Sequence, residues 1–80
     1  MGYTPVRRTS IAALVRMELA RQKLSKASLS DATGISIDTL RRRLDGVYPF
    51  TIEEVDAVSH FLGYTLPNFY AKARDWEGQA

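Results

Sequence analysis

The sequence predicts an all-α domain built from five helices. Three observations predict it: apolar residues recur at the helical period, Ser or Thr stands at the head of four such segments, and Gly closes three of them. Strand signals are nearly missing. There is no sustained period-2 alternation and no Asn-Gly or Asp-Gly turn between apolar runs, and Asp45-Gly46 ends a helical pattern instead.

The first helix is expected from about Ser10 to Gln22, with Ile11, Leu14, Val15 and Leu19 on one face. The second opens at Ser25 as N-cap and stops at Gly34, the residue best able to take the left-handed cap conformation. The third opens at Ser36 and stops at Gly46. The fourth opens at Thr51 with Glu54 three residues on, a capping box, and stops at Gly63. The fifth opens near Thr65, with Pro67 in the first turn where its missing N–H costs little. Four pairs, Leu24/Leu29, Ile35/Leu40, Phe50/Val55 and Tyr64/Phe69, flank these caps as hydrophobic staples, which fix the angle of entry into each helix. Chance supplies one or two such pairs; four in register with four caps argue for real helix starts.

Eighty residues allow one domain. The expected layout is an N-terminal arm over 1–9, the domain over 10–76 and a frayed tail over 77–80. A chain of this size buries about 60–65% of its unfolded surface, and an apolar fraction of 45% is enough for a lean core. No apolar stretch approaches the ~20 residues of a membrane span, and Arg7 and Arg8 precede no signal-peptide core. Cysteine is absent, which excludes disulfide scaffolds and thiolate metal sites, and His60 alone cannot build a zinc site. No metal, cofactor or small-molecule ligand is evident, and a cytoplasmic location is expected.

The net charge of +2 is unevenly spread. Residues 1–43 carry nine Arg or Lys against Glu18, Asp31 and Asp38, a net +6, while residues 44–80 are net −4. Such asymmetry points to a polyanion partner on one face. The arginines give this weight, because Arg41, Arg42 and Arg43 are consecutive in the third helix.

Only Gly34-Ile35-Ser36 separates the second and third helices, a three-residue turn of the kind that makes two short helices cross steeply, with Ile35 as its apolar plug. Leu24-Ser25, Leu29, Gly34-Ile35-Ser36, Thr39-Leu40 and Gly46, followed by a helix ending Phe61-Leu62-Gly63, together resemble the lambda-repressor/Cro-type (XRE) DNA-binding domain. The resemblance covers roughly residues 10–70 and rests on the ordered set of caps, glycines and plug. It implies a five-helix lambda-repressor-like fold with a helix-turn-helix at about residues 25–45. One departure stands out: that family usually has an apolar residue where Arg43 stands and often a glutamate where Leu44 stands, so the core contact is moved by one residue.

Residue chemistry can be read beside the resemblance. At about 100° per residue, Leu40 and Leu44 define the buried side of the third helix. Asp38, Arg42 and Asp45 then lie near the opposite side, with Arg41 and Thr39 on the flanks. A major groove admits one α-helix, and arginine bonds bidentately to guanine there. The resemblance implies that Ile37, Asp38, Arg41 and Arg42 face bases, that Lys26 meets the DNA backbone, and that Ser36 and Thr39 bond phosphate through hydroxyl or amide. Arg43 and Tyr48 are expected at phosphates from location alone. Some roles stay open. Asp38 stands at i, i+4 to Arg42 and holds it in place, accepts from cytosine, or does neither; Ile37 either docks on a thymine methyl or flanks the core.

The implied function is a sequence-specific double-stranded DNA-binding regulator, most simply a repressor. The alternative is a protein-binding regulatory module on the same fold, such as an antitoxin-like subunit. Enzyme signatures are lacking: Ser25 and Ser36 serve as caps, and no phosphate loop, paired carboxylates or nucleophile elbow occurs. In the fifth helix, Leu66, Phe69, Tyr70, Ala73 and Trp76 form an apolar stripe. It either packs over the core or serves a homodimer through Leu66, Phe69, Tyr70 and Trp76. Thr4, Arg7 and Arg8 form either a basic arm reaching DNA or a frayed terminus.

Overall fold

The computed structural model describes residues 7–79 as α1 (Arg8–Gln22), α2 (Lys26–Thr33), α3 (Ile37–Leu44), α4 (Ile52–Phe61) and α5 (Leu66–Gln79). Among the described residues there is no strand, and no helix is long and apolar enough to cross a membrane. Thr4 and most of the expected arm lie outside the described residues. Where the expected domain limits can be compared, the helices reach further: Arg8 and Thr9 already belong to α1, and Glu77 belongs to α5.

Each predicted cap is formed. Ser25 accepts from the Ser28 N–H, Ser36 from the Thr39 N–H, and the Thr65 hydroxyl from the Asn68 N–H at 3.3 Å. At α4 the capping box is complete, with the Glu54 carboxylate accepting the Thr51 N–H at 2.9 Å in return. The earlier start of α1 has a different cause. Arg7, its N-cap, provides no side-chain cap; instead Glu77 of α5 accepts the Arg7 N–H at 2.8 Å. This contact spans 70 residues, so no local signal announces it.

Three helix ends close in one pattern, in which an amide two or three residues past the helix reaches back to the carbonyl five residues earlier: Leu24 to Leu19, Val47 to Arg42 and Tyr64 to Ser59. Glycine supplies the required positive φ after α3 and α4, at Gly46 and Gly63. After α1 the position is Lys23, at φ 57°, a conformation costly for a residue with a Cβ.

The core comprises Ile11, Leu14, Val15 and Leu19 of α1, Leu29 of α2, Leu40 and Leu44 of α3, Val55 and Val58 of α4 with Leu62 beyond it, and Phe69 and Ala73 of α5. The outer members of all four staples, Leu24, Ile35, Phe50 and Tyr64, are partly buried against it, and the inner members are buried. The rings of Tyr64 and Phe69 meet edge to face at 5.6 Å. α1 packs on α3 and α5, α2 on α3 and α4, and α4 on α5. The stripe on α5 is therefore mainly core. Phe69 has no exposed surface at all and Leu66 and Tyr70 pack on the same cluster, which corrects the expectation of a dimer face that includes Phe69.

Among the described residues one charged side chain is inside. Glu18 is fully buried and accepts from Arg21 at 2.6 Å and from Gln22 at 2.9 Å, with the Lys72 ammonium 3.8 Å away. Gln22 also donates to the Leu62 carbonyl, so one carboxylate joins α1 to the end of α4 and to α5. Burial pushes this carboxyl up, but bonds from Arg21, Gln22 and Tyr64 outweigh it and hold it at about 2.

Candidate nucleic-acid interface

The α2–turn–α3 unit is fixed first by its turn. Gly34 ends α2 at φ 77°, and its N–H reaches the Ser30 carbonyl at 2.9 Å. The Ser30 hydroxyl then donates to the Ile35 carbonyl at 2.6 Å, and the Ile35 N–H meets the Thr33 hydroxyl at 3.3 Å. These bonds pair the polar groups of the turn within the turn itself, while the Ile35 side chain packs on the core.

Leu40 and Leu44 are completely buried, so the inward side of α3 matches the reading of its period. The far end of α3 is held by α1: the Arg16 guanidinium donates to the Leu44 carbonyl. A cation on the last carbonyls of a helix satisfies an otherwise open acceptor and opposes the negative end of the helix dipole. Residues 28 apart make this contact, and nothing in the local pattern around Arg16 marks it.

On the outward side Arg41 and Arg42 are exposed, and the C-terminal helix does not cover them. Arg42 pairs with no described residue. Asp38 is exposed and lies 3.8 Å from Arg41, not on Arg42. The expected i, i+4 pair is thus replaced by an i, i+3 pair. With both side chains more than 60% exposed, it is worth about 0–1 kcal/mol and leaves Arg41 available to a stronger anion.

The flanking residues divide. Lys26 is exposed at the first position of α2, and Ser36 is exposed at the head of α3. The Ser36 hydroxyl donates to the Thr39 hydroxyl at 3.0 Å, which leaves the Thr39 hydroxyl proton free to donate outward. Ile37 is half-buried in the first turn of α3, about 40° from the centre of the side that Leu40 and Leu44 bury.

Arg43 is placed elsewhere. Its guanidinium bonds both oxygens of Glu54, at 2.9 and 3.5 Å, and its side chain is only 19% exposed. It also lies over the ring of Tyr48, 6.0 Å from the centroid. Arg43 therefore joins α3 to the start of α4, and this structural pairing replaces the phosphate role expected for it. Tyr48 remains largely exposed in the loop beyond α3, with Val47 and Ile52 exposed nearby in sequence. Burial raises the Glu54 carboxyl, while Arg43 and the Thr51 amide more than reverse the effect and hold it below the usual carboxylate value.

Arg41 and Arg42 on α3, Lys26 on α2 and the hydroxyls of Ser36 and Thr39 thus belong to one rigid α2–turn–α3 unit. Such a set offers forked donors, a point cation and small hydroxyl donors, the chemistry that suits sugar–phosphate and base edges. Comparison with protein-family models, with curated proteins and with solved structures gives no match for this chain.

Proposed function

We propose that the chain is a sequence-specific double-stranded DNA-binding regulator that lays α3 in the major groove, most simply a repressor that occludes promoter DNA. The observation that carries this reading is the division of α3. Its apolar side is wholly buried by Leu40 and Leu44, its end is tied by Arg16, and Arg41 and Arg42 stand in solvent on the remaining face. A rigid, convex, cationic helix needs no rearrangement to enter a groove.

In this reading Arg41 and Arg42 contact bases, with Asp38 and Ile37 beside them. Lys26, Ser36, Thr39 and Tyr48 serve phosphates, which set register and supply salt-dependent affinity. The lambda-repressor-like resemblance of the caps, the three-residue turn and the closing glycines supports the same docking. Repression rests on that resemblance alone.

The test is selection of bound duplexes from a random pool, followed by Arg42→Ala on the selected site. A shared motif should emerge, and the variant should bind it about 1–3 kcal/mol more weakly with an unchanged fold. A pool that yields no motif, or a variant that discriminates like the parent, removes the reading.

A further inference from the structure

The first turns of α1 and the end of α5 line an open cleft of about 490 Å³. That lies within the roughly 300–1,000 Å³ typical of small-molecule sites. Its lining has a clear division of chemistry. Thr9, Ala13 and Arg16 fall at i, i+4 and i+7, so one face of α1 runs along it. The half-buried Trp76 provides an aromatic wall from α5, and Ala13 is small enough to leave room beside the indole.

The charges in the cleft are not balanced. Glu77 is already engaged: the Ser10 hydroxyl and the Arg7 amide bond its carboxylate and keep it ionised as the cap of α1. Two guanidiniums, Arg7 and Arg16, line the same cleft. Arg16 donates to the Leu44 carbonyl, a single neutral acceptor, and its remaining donors have no carboxylate among the described residues. A planar fork with open donors beside an aromatic wall matches one ligand chemistry.

We infer that this cleft binds a small aromatic carboxylate, with its ring against Trp76 over Ala13 and its carboxylate on Arg16. A ring in offset contact with the indole uses the aromatic wall, and a carboxylate takes the guanidinium in two parallel bonds. The ligand carboxylate takes the donors that Arg16 leaves open while the Leu44 carbonyl keeps its own, so occupancy fixes the guanidinium that ties the end of α3 and is felt at the helix proposed to read DNA. That consequence rests on the DNA-binding reading; the binding itself does not.

Trp76 is the sole tryptophan of the chain, so its emission and its indole N–H resonance report occupancy without DNA. Benzoate is the probe, with cyclohexanecarboxylate, benzyl alcohol and acetate as controls for ring and charge. Benzoate should give a saturable response, roughly ten-fold tighter than any control, as expected when either the ring contact or the charged bond is removed. Arg16→Gln should weaken it by about ten-fold or more through loss of the forked bond. Ala13→Leu, which keeps every charge and a good helix former, should block it by filling the space over the indole; this variant serves if Arg16→Gln does not fold. Equal, non-saturating responses to all four compounds, or benzoate binding undiminished in Ala13→Leu, would overturn the inference. Failure here leaves the DNA reading standing, and a chain that selects no duplex leaves the cleft's binding intact.

Discussion

Replacing Glu18 with Gln asks whether charge inside the core holds α1, α4 and α5 together. The substitution keeps the shape of the side chain, so it opens no cavity, and it removes the negative charge that Arg21, Gln22 and Lys72 surround. A carboxyl brought from 4.5 to about 2 by folding corresponds to on the order of 3 kcal/mol at neutral pH. Arg21 is 61% exposed, so solvent screens part of that attraction and the expected loss is about 2 kcal/mol. The folded value lies below the unfolded one. The stabilisation is therefore complete above pH 4.5 and is lost progressively as pH falls towards 2. Urea unfolding followed by circular dichroism measures both features. With slopes of roughly 1–3 kcal/mol/M, the midpoint of Glu18→Gln near neutral pH should fall by about 0.7–2 M. The gap between variant and wild type should close as both are taken towards pH 2. Equal stability near neutral pH, or a gap that persists in acid, would refute the reasoning.

Other expectations follow from caps, pairs and the outward face. Gly34→Ala should lose about 1–2 kcal/mol in thermal or urea unfolding through φ alone, because no atom lies within 4 Å of the added methyl. Lys23→Gly should gain up to about 1 kcal/mol by relieving the one left-handed non-glycine residue described, and a loss would contradict the conformational argument. Arg43→Ala and Glu54→Ala should show a coupling of about 1 kcal/mol in a double-mutant cycle; strictly additive effects would break the assigned pair. On the selected DNA site, Lys26→Ala should weaken all sequences alike and lower the salt slope by about 1. A sequence-dependent loss would move Lys26 from phosphate to base contact.

Helix starts were the most legible feature of this chain because each has a local chemical cause. Ser25, Ser36, Thr51 and Thr65 each bond an amide three residues on, and that bond depends on the neighbouring turn alone. Ends were legible where glycine marks them and also at Gln22, where α1 stops as expected although Lys23, not glycine, takes the left-handed position and the closing Leu24-to-Leu19 bond forms without glycine. The start of α1 was misplaced because its cap arrives from α5. Contacts between distant residues account for the rest. Glu18 reads as one surface charge among many, yet it is buried because Arg21, Gln22 and Lys72 surround it in space. In the candidate interface, outward placement of Arg41 and Arg42 followed from the burial of Leu40 and Leu44, whereas the tie from Arg16 had no sequence signature.

The three consecutive arginines show where periodicity stops carrying information. With the buried side of α3 centred between Leu40 and Leu44, Arg42 lies almost opposite, while Arg41 and Arg43 each lie about 80° from that centre on either flank. A helical wheel therefore treats Arg41 and Arg43 as equivalent. The fold does not, because α4 begins on the Arg43 side with Glu54, whose carboxylate is already fixed by the Thr51 amide. Arg43 loses little freedom by pairing with so rigid an acceptor, and the pair is shielded from solvent. On the other flank Arg41 meets only Asp38, an exposed residue of its own helix. Residue chemistry is identical at the two positions, and the placement of one acidic helix start makes one arginine structural and leaves the other for a partner. Moving that acid should exchange their fates: in Glu54→Gln, Arg43 loses its charged partner and becomes available as a third cation beside Arg42. DNA affinity of Glu54→Gln should then rise and its salt slope steepen by about 1, while Arg43→Ala in that background should abolish both changes.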